Sequence, residues 1–314
     1  MAPTILIVGA TGNTGRGVVE TLSKLHGSSN ALKGHRLLAL TRSASTPTAQ
    51  QIAKLPDVEV AEQNWVEITP EWLRENEVVR AFIAPHNQPN QFAEESTFHV
   101  AALHAGVKYV VRISTTAANV RPDLPVYYPR SHWAIEALLS SPEFKALQWT
   151  SLQPNTWSTL WLASAAAFIK EFRETGKQGT LALVASEEAP VAVVDPNDVG
   201  ALAGHLLALD DPSAHSGQRY DINGPEDITG KQIVTLVEQY IGEKLKNPVV
   251  YKDVSFVEQF IEHTIESKNV MSSIRGAPQK SWDGEATASR TSKEVLKFGV
   301  LTHSPTAVLK TMVG

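Results

Sequence analysis

Three glycines carry the clearest chemical pattern in the chain. They fall at positions 9, 12 and 15 of Ile5-Leu6-Ile7-Val8-Gly9-Ala10-Thr11-Gly12-Asn13-Thr14-Gly15. An apolar run precedes them, and Val18, Val19 and Leu22 follow at helical spacing. The segment therefore reads as strand, turn and helix. That arrangement suits holding the pyrophosphate of a dinucleotide. Gly9 makes the tight turn, Gly12 lets the backbone approach the phosphates, and Gly15 lets helix and strand pack closely. The helix N-terminus adds free N–H groups and a partial positive charge. Thr11, Asn13 and Thr14 complete the expected contact set. The bland alternative is a tight strand-to-helix turn with no ligand.

A second strand ends at Leu40-Thr41-Arg42-Ser43, with no acid beside it. An acid there would hold the 2′-hydroxyl of an adenosine ribose, whereas an arginine suits a 2′-phosphate. Arg42 with Ser43 therefore favours NADP(H) over NAD(H). A surface arginine with no ligand is the competing reading.

Ser114, Tyr128 and His132 form the candidate catalytic set. Short-chain reductases use a hydroxyl to orient the substrate oxygen, a tyrosine to transfer its proton, and a lysine to lower the tyrosine pKa. Here His132 stands in the lysine's place, four residues after Tyr128 and on the same face of a helix. Pro129 suits a first helical position, which puts Tyr128 at or just before the helix start. A histidine there is largely uncharged near neutral pH and activates a tyrosine less than an ammonium does. It can still hydrogen-bond a cofactor ribose.

Ligands of open α/β sheets lie outside the carboxyl ends of the strands. This places Ala84, Pro85, Pro154 and Asn155 against the cofactor. His86, Trp157 and Trp161 would wall an apolar or aromatic substrate pocket, although tryptophans at helical spacing are more often core. No histidine has metal-ligand spacing with carboxylates, so no metal is expected. A Gly-x-Ser-x-Gly elbow is absent.

The elements that must position these residues alternate. Strands are expected at 4–8, 36–41, 58–62, 81–84, 109–113 and 149–153, with helices at 15–25, 47–54, 70–74, 91–105 and 130–139. This alternation predicts a doubly wound parallel α/β sheet covered on both faces. After Pro154 the rhythm changes. A helix is expected over 159–174, a strand at 181–184, and a helix starting at Asp195-Pro196-Asn197-Asp198 with Asp195 as N-cap. A strand at 218–222, a helix capped by Thr229 and a helix over 255–267 follow. The division expected is residues 1–157 for the nucleotide and 158–314 for a smaller α+β substrate-binding part. The stretch from Asp195 to Tyr220 would pack back on the first part.

The 314 residues are 42% hydrophobic, with net charge −5 and no cysteine. These values support a real core and exclude disulfides and thiolate chemistry. No basic run points to nucleic acid, and no apolar stretch is long enough to span a bilayer. The N-terminus enters a strand without a charged leader, so a soluble, cytoplasmic protein acting on a small molecule is expected. Composition leaves monomer and homodimer open.

Several segments in order resemble the NmrA-like family of atypical short-chain dehydrogenases. They are Gly9–Gly15, Arg42, the strand Val107–Ser114, the helix Arg130–Leu139, Trp149–Asn155, Val194–Gly200 and Tyr220–Pro225. The resemblance covers residues 3–245 well and implies a Rossmann fold, NADP(H) and a small C-terminal substrate region. It implies two kinds of function. Some members reduce quinones, imines or activated double bonds, including in fungal secondary metabolism; others sense NADP(H) and regulate a protein partner. The chain departs from the family at Gln153, where arginine is usual, at Gln63-Asn64-Trp65, and at His132.

Overall fold

The computed structural model describes residues 2–314. Seven parallel strands form the main sheet: β1 (Thr4–Val8), β2 (Arg36–Thr41), β3 (Val58–Glu62), β4 (Val78–Ile83), β5 (Tyr109–Ile113), β6 (Gln148–Pro154) and β8 (Gln218–Ile222). Their order is β3-β2-β1-β4-β5-β6-β8, the doubly wound Rossmann arrangement. The chain reverses direction across the sheet beside β1, with Leu6 registered on Leu38 of β2 and on Ala81 of β4. A crevice opens there at the strand carboxyl ends. A separate pair, β7 (Ala182–Leu183) and β9 (Val250–Tyr251), is also parallel.

Helices α1 (Asn13–His26) and α8 (Pro196–Leu207) cover one face of the main sheet. Helices α3 (Pro70–Glu75), α4 (Gln91–Ala105) and α5 (Tyr127–Leu139) cover the other, and α2 (Pro47–Ile52) follows β2. A further core gathers α6 (Ser158–Trp161), α7 (Ala163–Thr175), α9 (Gly230–Ile241), β7 and the C-terminal helix Pro305–Val313.

Three glycines set how closely α8 lies on α1. A Cβ on Gly200 would sit 2.5 Å from the Thr14 carbonyl oxygen, and one on Gly204 would sit 2.8 Å from the Thr21 side chain. Gly17 faces the Asn197 backbone at 3.0 Å in the same sense. The two helices meet backbone to backbone, so α8 packs directly behind the glycine turn. Its start follows the capping rule: Asp195 accepts the Asn197 N–H at 2.8 Å, with Pro196 at the first helical position.

Four boundaries differ most from the sequence reading. The helix expected over 159–174 is interrupted at Leu162, whose backbone (φ −96°, ψ 0°) leaves the helix while its side chain stays buried. The helix expected over 255–267 ends at Glu262, and a new one starts at Lys268 under a Ser267 cap. Strand β4 starts at Val78, three residues early. Helix α5 starts at Tyr127, so Pro129 occupies its first turn, where its missing N–H has no intrahelical partner to lose. Among the described residues, no helix is long and apolar enough to cross a membrane.

Candidate functional site

An open cleft of about 380 Å³ lies at the carboxyl ends of β1, β4, β5 and β6. The glycine turn forms its floor. Gly9 holds φ +80°, a conformation that favours glycine, and its carbonyl accepts the Gly12 N–H at 2.9 Å. A Cβ on Gly15 would lie 2.1 Å from the Gly9 oxygen, so no larger residue fits. Gly12 caps α1 without a side chain, and no acid occupies the first turn. The opening N–H groups of a fourteen-residue helix are therefore left to an anion. Gly9, Gly12, Asn13, Thr14 and Gly15 all line the cleft, and this cradle fits a dinucleotide pyrophosphate. Thr11 does not reach the lining.

Arg42 and Ser43 also stand outside the cleft proper. They follow β2, which is tied to the turn by Ala10 N–H donating to the Leu40 carbonyl at 3.3 Å. Arg42 is exposed and has no side-chain partner among the described residues. The Ser43 hydroxyl pairs with that of Ser45 at 2.8 Å. The sheet register also brings in an acid that the local sequence does not show. Glu62 pairs with Thr41 across β2 and β3 and accepts the Ala44 N–H at 2.6 Å.

Ser114, Tyr128 and His132 meet on one wall of the cleft. The Ser114 hydroxyl is buried and has no hydrogen-bond partner among the described residues. Burial pushes the Tyr128 phenol above its ordinary pKa, with Thr115 opposing by a hydrogen bond. The Tyr128 and His132 rings stand edge to face with centroids 6.5 Å apart. His132 is buried, and burial followed by the Arg112 charge lowers its pKa to about 3. It is a neutral imidazole at physiological pH and cannot replace the lysine electrostatically.

Both His132 nitrogens are already engaged. Nδ1 lies 2.8 Å from Arg112 Nη2 and 3.1 Å from Gln91 Nε2, while Nε2 lies 3.1 Å from Asn87 Oδ1. The ring thus closes a protein network at the cleft wall.

Arg112, in the middle of β5, organises that network at 0% exposure. Its guanidinium donates to Glu95 of α4 at 2.7 and 3.2 Å and to Ser151 of β6 at 2.9 Å. Glu136 of α5 accepts from Ser151, Gln153 and Arg219. Burial disfavours the Glu95 carboxylate, but the Arg112 charge and bonds from His99 and Arg112 hold its pKa well below the usual range. Two arginines thus face two buried glutamates, the balance that buried charge requires. The sequence signal for this network was a single charge inside an otherwise apolar, fully buried strand.

The remaining candidates divide. Ala84, Pro85, Pro154 and Trp157 line the cleft, as does Asn87 in the segment after β4, joined by Thr115, Thr116 and Leu160, which the spacing arguments left out of the site. Asn155 borders the cleft, but its side chain serves the fold. Its Nδ2 donates to the carbonyls of Ala192 and Ala286 at 2.8 and 3.1 Å, and its Oδ1 accepts the Thr156 N–H at 2.7 Å. Trp161 is corrected from pocket wall to core: it is 1% exposed among Leu162, Ile169 and Leu309. His86 stands beside the cleft rather than in it, paired with Glu94 and tilted against Trp65.

The sheet order and the glycine cradle define a Rossmann-type α/β protein. Residues 1–280 match the model of the NmrA-like family, and the chain belongs to that family. A curated relative, the (4-alkanoyl-5-oxo-2,5-dihydrofuran-3-yl)methyl phosphate reductase of Streptomyces griseus, is 27% identical over 160 residues. The match spans about half of each protein, 51% of this chain and 51% of the relative. Among solved structures, the NADPH-dependent quinone oxidoreductase of Escherichia coli in complex with NADPH aligns with a TM-score of 0.73 at 18% identity, covering 99% of this chain and 100% of that one. NmrA, a negative transcriptional regulator, aligns with a TM-score of 0.67 at 16% identity, covering 99% and 95%.

Proposed function

We propose that this protein is an NADPH-dependent reductase that delivers hydride to a small apolar or aromatic electrophile such as a quinone, imine, enone or ketone. The observation that carries this reading is the shared cleft. One continuous space joins the pyrophosphate cradle at Gly9–Gly15 to Ser114, Tyr128, Trp157 and Leu160. NADPH, when bound, supplies the hydride. The turn and the α1 N-terminus would hold its pyrophosphate, and Arg42 its 2′-phosphate. Trp157 and Leu160 offer apolar surface to a flat acceptor, and the unpartnered Ser114 hydroxyl is free to orient it. The acceptor gains one hydride and, where it is neutral, one proton. Tyr128, protonated at neutral pH, would donate that proton and recover it from water. The relatives named as reductases support the same reading.

NADPH oxidation should be followed against a panel of quinones, enals, imines and ketones, alongside a direct NADPH titration. Turnover above background establishes the reductase and names its acceptor class. Tight NADPH binding with no turnover on any acceptor overturns the enzyme reading in favour of a redox-sensing regulator. One observation favours that second reading: NmrA, a negative transcriptional regulator, shares the fold with a TM-score of 0.67.

A further inference from the structure

Asn87 follows β4 and is held from two sides. The Tyr127 hydroxyl donates to its backbone carbonyl at 2.5 Å, and His132 Nε2 meets its Oδ1 at 3.1 Å. The polarity of the second contact is decided further inside the protein. A guanidinium has donors only, so the 2.8 Å contact from Arg112 Nη2 makes His132 Nδ1 an acceptor. A neutral imidazole that accepts at Nδ1 carries its proton on Nε2. That proton points to Asn87 and fixes Oδ1 as the acceptor. The Asn87 amide nitrogen is then turned the other way. Asn87 is exposed, lines the cleft with Ser114 and Tyr128, and its Nδ2 has no partner among the described residues.

We propose that Arg112, His132 and Asn87 form a hydrogen-bond relay of fixed polarity that offers the Asn87 amide N–H to the oxygen of a bound carbonyl or quinone. Asn87 touches the substrate; Arg112 and His132 are positioning residues. The hydroxyls of Ser114 and Tyr128 can donate or accept, whereas the Asn87 amide turns its oxygen to His132 and presents its N–H donors to the cleft. It therefore favours acceptors that present a lone pair. This inference rests on the reductase reading for its substrate and adds the group that recognises the oxygen.

The test substitutes Asn87→Asp, which keeps an acceptor for His132 and removes the donor at nearly unchanged size. Menadione, a quinone, and a cationic triarylmethane dye without a carbonyl are the two probes. With the NADPH dissociation constant unchanged, menadione kcat/KM should fall about 10–100-fold, and by at least about tenfold more than dye reduction changes. Equal loss on both probes, or no loss on menadione, overturns the proposal. Two readouts need no turnover and so separate this inference from the reductase reading. Menadione binding to the NADP+-loaded wild-type protein should be at least about tenfold tighter than to Asn87→Asp; failure of the wild type to bind it overturns the oxygen-donor role. Nitrogen NMR of the His132 ring should show the proton on Nε2; a proton on Nδ1 reverses the relay and refutes it. His132→Phe, which cannot orient the amide, should reproduce part of the menadione loss, again exceeding any change on the dye.

Discussion

Tyr128 faces a neutral imidazole where a short-chain reductase would place a cation. Its phenol is raised rather than lowered, so it can give a proton but is a poor group to take one away. The chemistry this favours is reduction. Tyr128→Phe should slow quinone or ketone reduction by about 10–100-fold and leave hydride transfer to a triarylmethane cation unchanged, since the latter needs no proton. Neither Tyr128 nor His132 changes protonation between about pH 6 and 8, so kcat for the wild-type enzyme should be flat across that range; an inflection near neutrality would assign the proton to another group. Arg42 has the complementary proposed role at the far end of the cofactor. Arg42→Ala should weaken NADPH binding about 10–100-fold and NADH binding by less than about threefold, measured by titration of the two cofactors. Equal loss of both would point to Glu62, on the neighbouring strand, as the group that sets cofactor preference.

The contact of α1 with α8 links backbone geometry to the cofactor site. Both helices give up side chains at the crossing, where Gly17 and Gly200 meet backbone to backbone and Gly204 makes room for the Thr21 side chain. Gly200→Ala would set a methyl 2.5 Å from the Thr14 carbonyl and 2.9 Å from Gly17. It should cost about 1–3 kcal/mol in denaturant unfolding, the scale of an overpacked contact. It should also weaken NADPH binding, because Thr14 lies in the glycine turn proposed to hold the pyrophosphate. Gly179→Ala is the control: nothing lies within 4 Å and its φ is ordinary, so stability should hold or rise slightly. The strand-level counterpart is β5, where Arg112 interrupts an apolar strand and ties α4 and α5 to β6. Removing that one charge would leave Glu95 buried without its counter-ion.

For the molecule as a whole, pH sets two groups of residues against each other. His132 and His99 are held below their ordinary pKa by burial. Their unfolded forms take up protons below about pH 6.5 that the folded forms refuse, so stability falls as pH drops through that value. Glu95 acts in the same direction at lower pH, because its folded pKa is depressed and its contribution is lost on acidification. His303 opposes them. Asp198, buried at the start of α8, holds its ring nitrogen at 2.6 Å and raises its pKa, a contribution present in acid and lost as pH rises through the raised value. His303 is half exposed and solvent screens it, so the buried groups dominate. The melting temperature should be lower at about pH 5 than at about pH 7, and His303→Gln should steepen that acid loss. A melting temperature that rises on acidification would contradict this balance.

Local pattern was enough to specify the strand–turn–helix of Gly9–Gly15, the alternating elements of the parallel sheet and the Asp195 cap. Each depends on neighbours within a few residues: apolar periodicity, glycine spacing, or a side chain reaching its own helix start. Strands β1, β2, β3 and β5 and helix α4 begin and end where that pattern places them. The candidate site was legible where it is built from strand ends and the glycine turn. It was not legible where residues far apart in sequence meet. The partners of His132 come from positions 87, 91 and 112, so its tautomer and charge follow from the tertiary contacts alone. Trp157 and Trp161 have the same spacing in any helix, and only packing sent one to the cleft and the other to the core. Glu62 reached the Arg42 loop through sheet register, and Asn155 spent its amide on carbonyls at 192 and 286. The sequence by itself determined which backbone could cradle a pyrophosphate, because that rests on local conformation. The tertiary structure alone decided which side chains remain free to act, because a hydrogen bond already made within the protein cannot also be offered to a ligand.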